Sequence, residues 1–377
     1  MARPSYRLHV AARRARGLSL IELLISLALG LVLIGGVLYV YFGAKGSYRT
    51  ARSSSRVQEA GNFGIDAMLR DVRQAGFMGC GSRMALNVFA PQQASQYATP
   101  PLPLLPAGQA VMGYPTNPTS AWVPSGGLNV TPLATGTDVL QMQVATGVSL
   151  PMVAPPDPSI PAVYLANNCT KIPVDTYLLV SNCTMATVVR VSTAPDTSAN
   201  SCPAGGGVAN YGSQLGVQVQ YTATDSNGKA VNAFPAGTMA LGAPNPPTLA
   251  SHPSAQAFDS ITYFVGQLAP RGPALYRYSN YAGVAEEVID HVQDLCVMYG
   301  VNGAGGMTYV NAAGVAAAGG WNQVTSVQVS LLIAGDDLGI VASQPPIPWC
   351  NGATKTPTDG RVYQVFTSTA ALRDQLP

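Results

Sequence analysis

Charge is what this 377-residue sequence has least of. Lys and Arg number 20 and Asp and Glu 18, together 10% of the chain. Not one charged side chain occurs from Met84 to Thr137, a stretch that includes the Pro-rich "ATPPLPLLPAG". Charge-driven disorder needs charge, and with hydrophobic residues at 47% this stretch reads instead as loop laid across a sheet. Histidine is scarcer still, only His9, His252 and His291, and no Cys-x-x-Cys occurs, which argues against a zinc site. The nucleophile elbow G-x-S-x-G, the zinc helix H-E-x-x-H and the P-loop are all missing, and with them the best-marked enzyme classes.

The polar residues that remain are poor catalytic candidates. Glu286 with Glu287 and Asp336 with Asp337 are adjacent pairs, and neighbours in a strand point to opposite faces. His291 lies near Asp290 and Asp294 but reads as part of a solvated face, and Gly303 and Gly305 form a lone G-x-G that reads as a loop. "DSNGK", Asp225 to Lys229, follows the alternating "VQVQYTAT" as a hairpin turn; it lacks the further oxygen ligands and closing Glu of a calcium loop. No cofactor, metal or small-molecule substrate is expected.

Against this background one run stands out. Leu18 to Phe42 is 25 residues long with Glu22 as its only charge, enough to span a bilayer, which takes about 20 residues. A secretory signal fits poorly, because its apolar region runs to only about 7–15 residues and ends at a small-residue cleavage site. An acid inside a membrane span is costly and marks function by default. Ahead of the run stand Arg3, Arg7, Arg13, Arg14 and Arg16 with no acid among them, so the N-terminus is expected to stay cytoplasmic. Removing those five charges turns the formal +2 into −3, which leaves no general electrostatic case for nucleic-acid binding.

Helical spacing continues beyond the span. Val57, Gly61, Gly64, Ile65, Met68, Leu69, Val72 and Ala75 recur at three- and four-residue steps, with Arg56, Glu59, Asp66, Arg70, Asp71 and Arg73 on other faces. One helix from Leu18 to about Ala75, ended by Gly76, is predicted; Gly43 and Gly46 leave open a span followed by a separate amphipathic helix. Strands are predicted at 138–145, 176–181, 187–192, 214–224, 260–266, 274–279, 292–300, 323–334 and 361–369. The six cysteines, Cys80, Cys169, Cys183, Cys202, Cys296 and Cys350, all follow the span, as expected of disulfides in an oxidising compartment. Cys296 and Cys350 flank the 323–334 strand and lie in the only two C-terminal segments with a cysteine, so they are expected to pair.

Gly17-Leu-Ser-Leu-Ile-Glu22-Leu-Leu resembles the type III signal of type IV prepilins and of type II secretion pseudopilins, with Leu18 in place of the usual Phe. "DVRQAGFMGC" (71–80), "ALYRYSNYAGVAEEVIDHVQDLCVMYGVN" (274–302), "WNQVTSVQVSLLIAG" (321–335) and "DGRVYQVFTSTAALRD" (359–374) resemble PilW-like minor pilins. The resemblance implies that a prepilin peptidase cuts between Gly17 and Leu18 and methylates Leu18. It also implies that Glu22 sets the register between subunits, and that Cys80 pairs with Cys183, leaving Cys169 for Cys202. The fold it implies is α+β and pilin-like: a cleaved leader (1–17), a helix (18–75, with 18–42 in the membrane) and a β-rich, mainly antiparallel body (76–377) with a loop-rich insertion at about 84–258. The function it implies is that of a minor pilin that helps to prime pilus assembly and enters the fibre or its tip, with other minor pilins and the major pilin as partners. A minor pseudopilin of type II secretion and a tip adhesin are the alternatives. The chain would sit first in the inner membrane, its bulk periplasmic, and then in a surface pilus.

Overall fold

The computed structural model of the chain describes residues 19–77, 105, 109–114, 131–132, 136–154, 162–165, 172, 177–181, 186–191, 210–211, 214–215, 217–220, 254–267, 272–280, 282–303 and 306–372. Gly17, Leu18, Cys80, Cys169, Cys183, Cys202 and the turn at Asp225 to Lys229 lie outside the described residues.

The chain divides into two compact units, Met1–Arg52 and Ser53–Pro377. The division falls inside one helix, α1 (Leu20–Gln74), which passes without a break through Gly43 and Gly46. In the first unit the apolar side chains of α1 stand exposed all round, from Leu20 to Tyr48. This part is long and apolar enough to cross a membrane, and a helix apolar on every side needs lipid or other helices around it.

In the second unit α1 buries Ser53, Val57, Gly61, Gly64, Ile65, Met68, Leu69 and Val72, a stripe at three- and four-residue steps that marks one face of a helix. Gly76 ends it with φ 80°, a left-handed conformation that suits glycine, and its N–H donates to the Gln143 carbonyl at 2.9 Å.

The strands follow as β1 (Val111–Tyr114), β2 (Thr131–Pro132), β3 (Val139–Ala154), β4 (Ala162–Leu165), β5 (Tyr177–Ser181), β6 (Ala186–Arg190), β7 (Asn210–Tyr211), β8 (Gln214–Leu215) and β9 (Val217–Gln220). The C-terminal part adds β10 (Ser254–Gln267), β11 (Pro273–Ser279), β12 (Val284–Asp290), β13 (Val292–Gly303) and β14 (Gly306–Val310). After a short helix α2 (Ala312–Ala318) come β15 (Val324–Ala334), β16 (Ile347–Pro348), β17 (Thr354–Lys355) and β18 (Tyr363–Ala371).

A ten-stranded sheet runs β12-β11-β10-β3-β4-β9, with β1 beside β3, β2 and β5 beside β10, and β6 beside β5. A four-stranded sheet runs β14-β13-β15-β18, and all its pairings are antiparallel. The fold is thus α+β and pilin-like: a long helix with a mainly antiparallel β unit. One core joins the helix stripe to both sheets, through Leu140, Met142 and Tyr263 of the larger and Val297, Tyr299 and Val329 of the smaller.

The two sheets are also stitched by hydrogen bonds. The Asp138 N–H donates to the Leu295 carbonyl at 2.8 Å, and the Val297 N–H donates to an Asp138 carboxylate oxygen at 2.9 Å. Between β12 and β13 the chain changes sheets at His291, whose φ of 58° is unusual for a residue with a side chain. Gly303 and Gly306 face each other as the closing pair of the β13–β14 hairpin, so the segment read as a loop carries strand on both sides.

Candidate functional site

Three features of the described chain bear on function: the start of α1, the seat of its second half, and a strap after β15. At the start, the Ser19 hydroxyl accepts from the Glu22 N–H at 3.2 Å, and the Ser19 carbonyl accepts from the Leu23 N–H at 3.1 Å. Ser19 is therefore the cap of the helix, and Ser-x-x-Glu is the sequence of a capping box, a local signal legible in the chain. Glu22 lies in the first turn, where the helix dipole favours an anion, so its charge suits its own helix as well as any partner.

The seat of the helix rests on Asp71. Its carboxylate accepts from the Tyr263 hydroxyl at 2.8 Å and from Arg277 Nε at 2.8 Å, with only 16% of the Asp71 side chain and 27% of the Arg277 side chain exposed. Burial first, and then the neighbouring Asp71 charge, push the Tyr263 hydroxyl well above its ordinary range, so it remains a donor. Helical spacing places Asp71 off the buried stripe, and nothing near it in sequence announces a partner 206 residues away.

Two glycines let the helix approach closely. A Cβ on Gly61 would stand 2.2 Å from the Phe366 ring, and one on Gly64 would stand 2.4 Å from the Ile289 Cδ1. The two positions differ in cost. Ile289 can withdraw the end of a flexible chain, whereas Phe366 meets the new carbon with its ring.

After β15 the chain forms a strap that returns across β13 before entering β18. Cys350 is bonded to Cys296 of β13, the pairing expected of these two residues, with Cα atoms 6.4 Å apart. Lys355 Nζ lies 2.6 Å from an Asp294 carboxylate oxygen and 5.9 Å from the centre of the Trp349 ring. Burial raises the Asp294 carboxyl, and the hydrogen bond and charge of Lys355 pull it back. Burial also pushes Asp138 up to about 6; the Val297 N–H lowers it and the Asp294 charge raises it.

His291 does not work with Asp294 as sequence proximity proposes. Its Nε2 lies 3.0 Å from Asp336 and 3.7 Å from Asp290, while Asp294 faces Lys355. Asp336 also bonds Arg56 of the helix, although both side chains are well exposed, 54% for Arg56 and 41% for Asp336, and contribute little individually. Glu286 and Glu287 occupy successive positions of β12, opposite Arg277 and Tyr276 of β11. Among the described residues no cluster of three His, Cys, Asp or Glu could hold a metal ion.

A helix with a bare apolar N-terminal portion and one early carboxylate, together with an antiparallel β unit built on its continuation, is consistent with the pilin class of protein. Residues 12–38 match the prokaryotic N-terminal methylation motif, and residues 262–374 match the type IV pilus-assembly protein W family. These two matches support a PilW-like type IV pilin with a prepilin signal. No curated protein and no solved structure matches it at a comparable level. The matched family is structural rather than catalytic, and the motif and apolar helix point to anchoring in the inner membrane.

Proposed function

We propose that the chain is a minor pilin that helps to prime type IV pilus assembly and is then carried in the fibre or at its tip. In this reading the leader 1–17 is removed between Gly17 and Leu18 by the prepilin peptidase, which methylates Leu18. Residues 18–42 hold the subunit in the membrane, with the body from 76 onward on the periplasmic side. The other minor pilins and the major pilin are its partners.

The observation that supports this most is the exposed apolar surface of α1 between Leu20 and Phe42, interrupted by a single charge. A subunit drawn from the bilayer must bury that surface against other helices, and an unpaired Glu22 among them is penalised. The methylated amine of a neighbouring Leu18, created by cleavage, is a cation at the helix end that can pair with it. The carboxylate then fixes the axial stagger of adjacent subunits.

The test is Glu22→Ala expressed beside wild type, following cleavage and co-isolation with the other pilins. The expected result is cleavage largely intact and co-isolation lost, with Glu22→Gln behaving like Ala and Glu22→Asp partly active. Normal co-isolation of Glu22→Ala would remove the assembly role of the carboxylate.

A further inference from the structure

Among the described residues, the β18 edge of the four-stranded sheet has no neighbouring strand. In β18 the bonds to β15 are fixed at both ends: the Leu372 N–H donates to the Thr325 carbonyl at 2.8 Å, and the Gly335 N–H donates to the Val362 carbonyl at 2.7 Å. Backbone groups alternate in an antiparallel ladder, so Gln364, Phe366, Ser368 and Ala370 turn theirs to β15, while Tyr363, Val365, Thr367, Thr369 and Ala371 turn theirs outward.

Tyr363 shows what that edge accepts. Its N–H donates to Gln344 Oε1 at 3.0 Å and its carbonyl accepts from Gln344 Nε2 at 2.7 Å. The side-chain amide stands where the peptide group of a neighbouring strand would stand. Beyond it, among the described residues, the outward groups of Val365, Thr367, Thr369 and Ala371 have no backbone or side-chain partner.

Exposed edges are normally guarded by charge, proline, bulges or shortness. The edge strand β12 carries Glu286, Glu287 and Asp290 and a register shift against β11. The opposite edge, β14, has only five residues. By contrast β18 runs nine residues in unbroken register with β15, and Tyr363 to Ala371 contains no charge, proline or glycine.

We propose that the outer edge of β18 from Val365 to Ala371 is a docking edge that takes an extended, uncharged segment of another polypeptide as a fifth strand. Its chemistry follows from the two faces of β18. On the core side the segment would lie beside Phe366, which packs against the core, and the buried Ala370. On the other side it would meet the exposed Thr367 and Thr369. Apolar residues alternating with small polar ones satisfy both, and a charged residue would find no counter-charge on the strand. A second copy of this chain fits less well: antiparallel pairing of two β18 edges has its two-fold axis normal to the sheet and sets the packed halves of the two α1 helices in opposite directions.

The test uses the full-length protein in detergent and a blocked seven-residue Thr/Val peptide, read by residue-resolved amide exchange. Without peptide, the amides of Val365, Thr367, Thr369 and Ala371 should exchange much faster than those of Phe366, Ser368 and Ala370. Saturating peptide should slow the outward set by roughly tenfold or more and leave the inward set unchanged. The same peptide N-methylated at alternate amides should fail. Thr367→Pro removes an N–H that bonds nothing among the described residues and should abolish the effect, as should Thr367→Lys, which keeps the backbone intact. The proposal is overturned if the outward amides are already protected, if the peptide leaves them fast, if the N-methylated peptide works equally well, or if the edge is closed by a second copy. Because the probe is synthetic, the outcome does not depend on whether the chain enters a pilus.

Discussion

Removing the bridge between Cys296 and Cys350 tests whether the strap holds the C-terminal part of the β unit by limiting the unfolded chain. The two cysteines are 54 residues apart in sequence. Closing a loop of that length withdraws entropy from the unfolded ensemble worth about 4 kcal/mol at 25 °C. The double variant Cys296→Ser with Cys350→Ser leaves no unpaired thiol of the pair, and the strap retains the Lys355–Asp294 contact and the Gln344 bonds to Tyr363. Its folded structure should therefore persist while its stability falls. Denaturation in guanidinium, followed by tryptophan fluorescence, should show the midpoint lowered by roughly 0.8 M if the slope is about 5 kcal/mol per M. Amide exchange should still find Phe366, Ser368 and Ala370 protected under native conditions. A midpoint unchanged within about 0.2 M would refute the loop-closure reasoning, and loss of native protection in β18 would show that the bridge holds the folded sheet together.

Three further outcomes follow from the packing and the buried carboxyls. Asp71→Ala strands Arg277 and Tyr263 without their shared acceptor and should cost about 2–3 kcal/mol in denaturation; a loss below half a kcal/mol would show that this contact does not seat the helix. Gly61→Ala should destabilise the unit more than Gly64→Ala, and Phe366→Leu should rescue the former by making room for the new carbon; equal costs, or no rescue, would refute the close approach. For Asp138 the folded carboxyl lies at about 6 against 3.8 in the unfolded chain. Its stabilising effect is complete below the unfolded value and is lost as pH rises through about 6. Asp138→Asn keeps an acceptor for Val297 and should flatten that decline, gaining about 2–3 kcal/mol at pH 8 relative to the parent; identical pH profiles would contradict it.

Much of the helix was legible because its signals are local. A 25-residue apolar run and a stripe at three- and four-residue steps do not depend on distant partners, and the observed Leu20–Gln74 departs little from the predicted 18–75. Strands rich in Val, Leu and Ile, such as β13 and β15, were legible for the same reason. The edge strand β12 was not, because "VAEEVID" places two acids side by side and breaks the alternation that marks a half-buried strand. Nor was β14, where glycines precede "MTYV" and its side chains are largely exposed. The partners of Asp71 and His291 escaped sequence reading because they are non-local. Arg277 and Asp336 reach them only through the packed sheets, while Asp294, near His291 in sequence, faces Lys355 instead.

A pilus subunit made from a cleaved precursor leaves its mark on the fibre itself. Sheared pili, separated from membranes and analysed by quantitative mass spectrometry, reveal that mark. The chain should be found in the pilus fraction, far below the major pilin in amount, with an N-terminal peptide that begins at methylated Leu18. Absence from pili while the full-length precursor, still beginning with residues 1–17, remains in the inner membrane would show that the chain is not such a subunit.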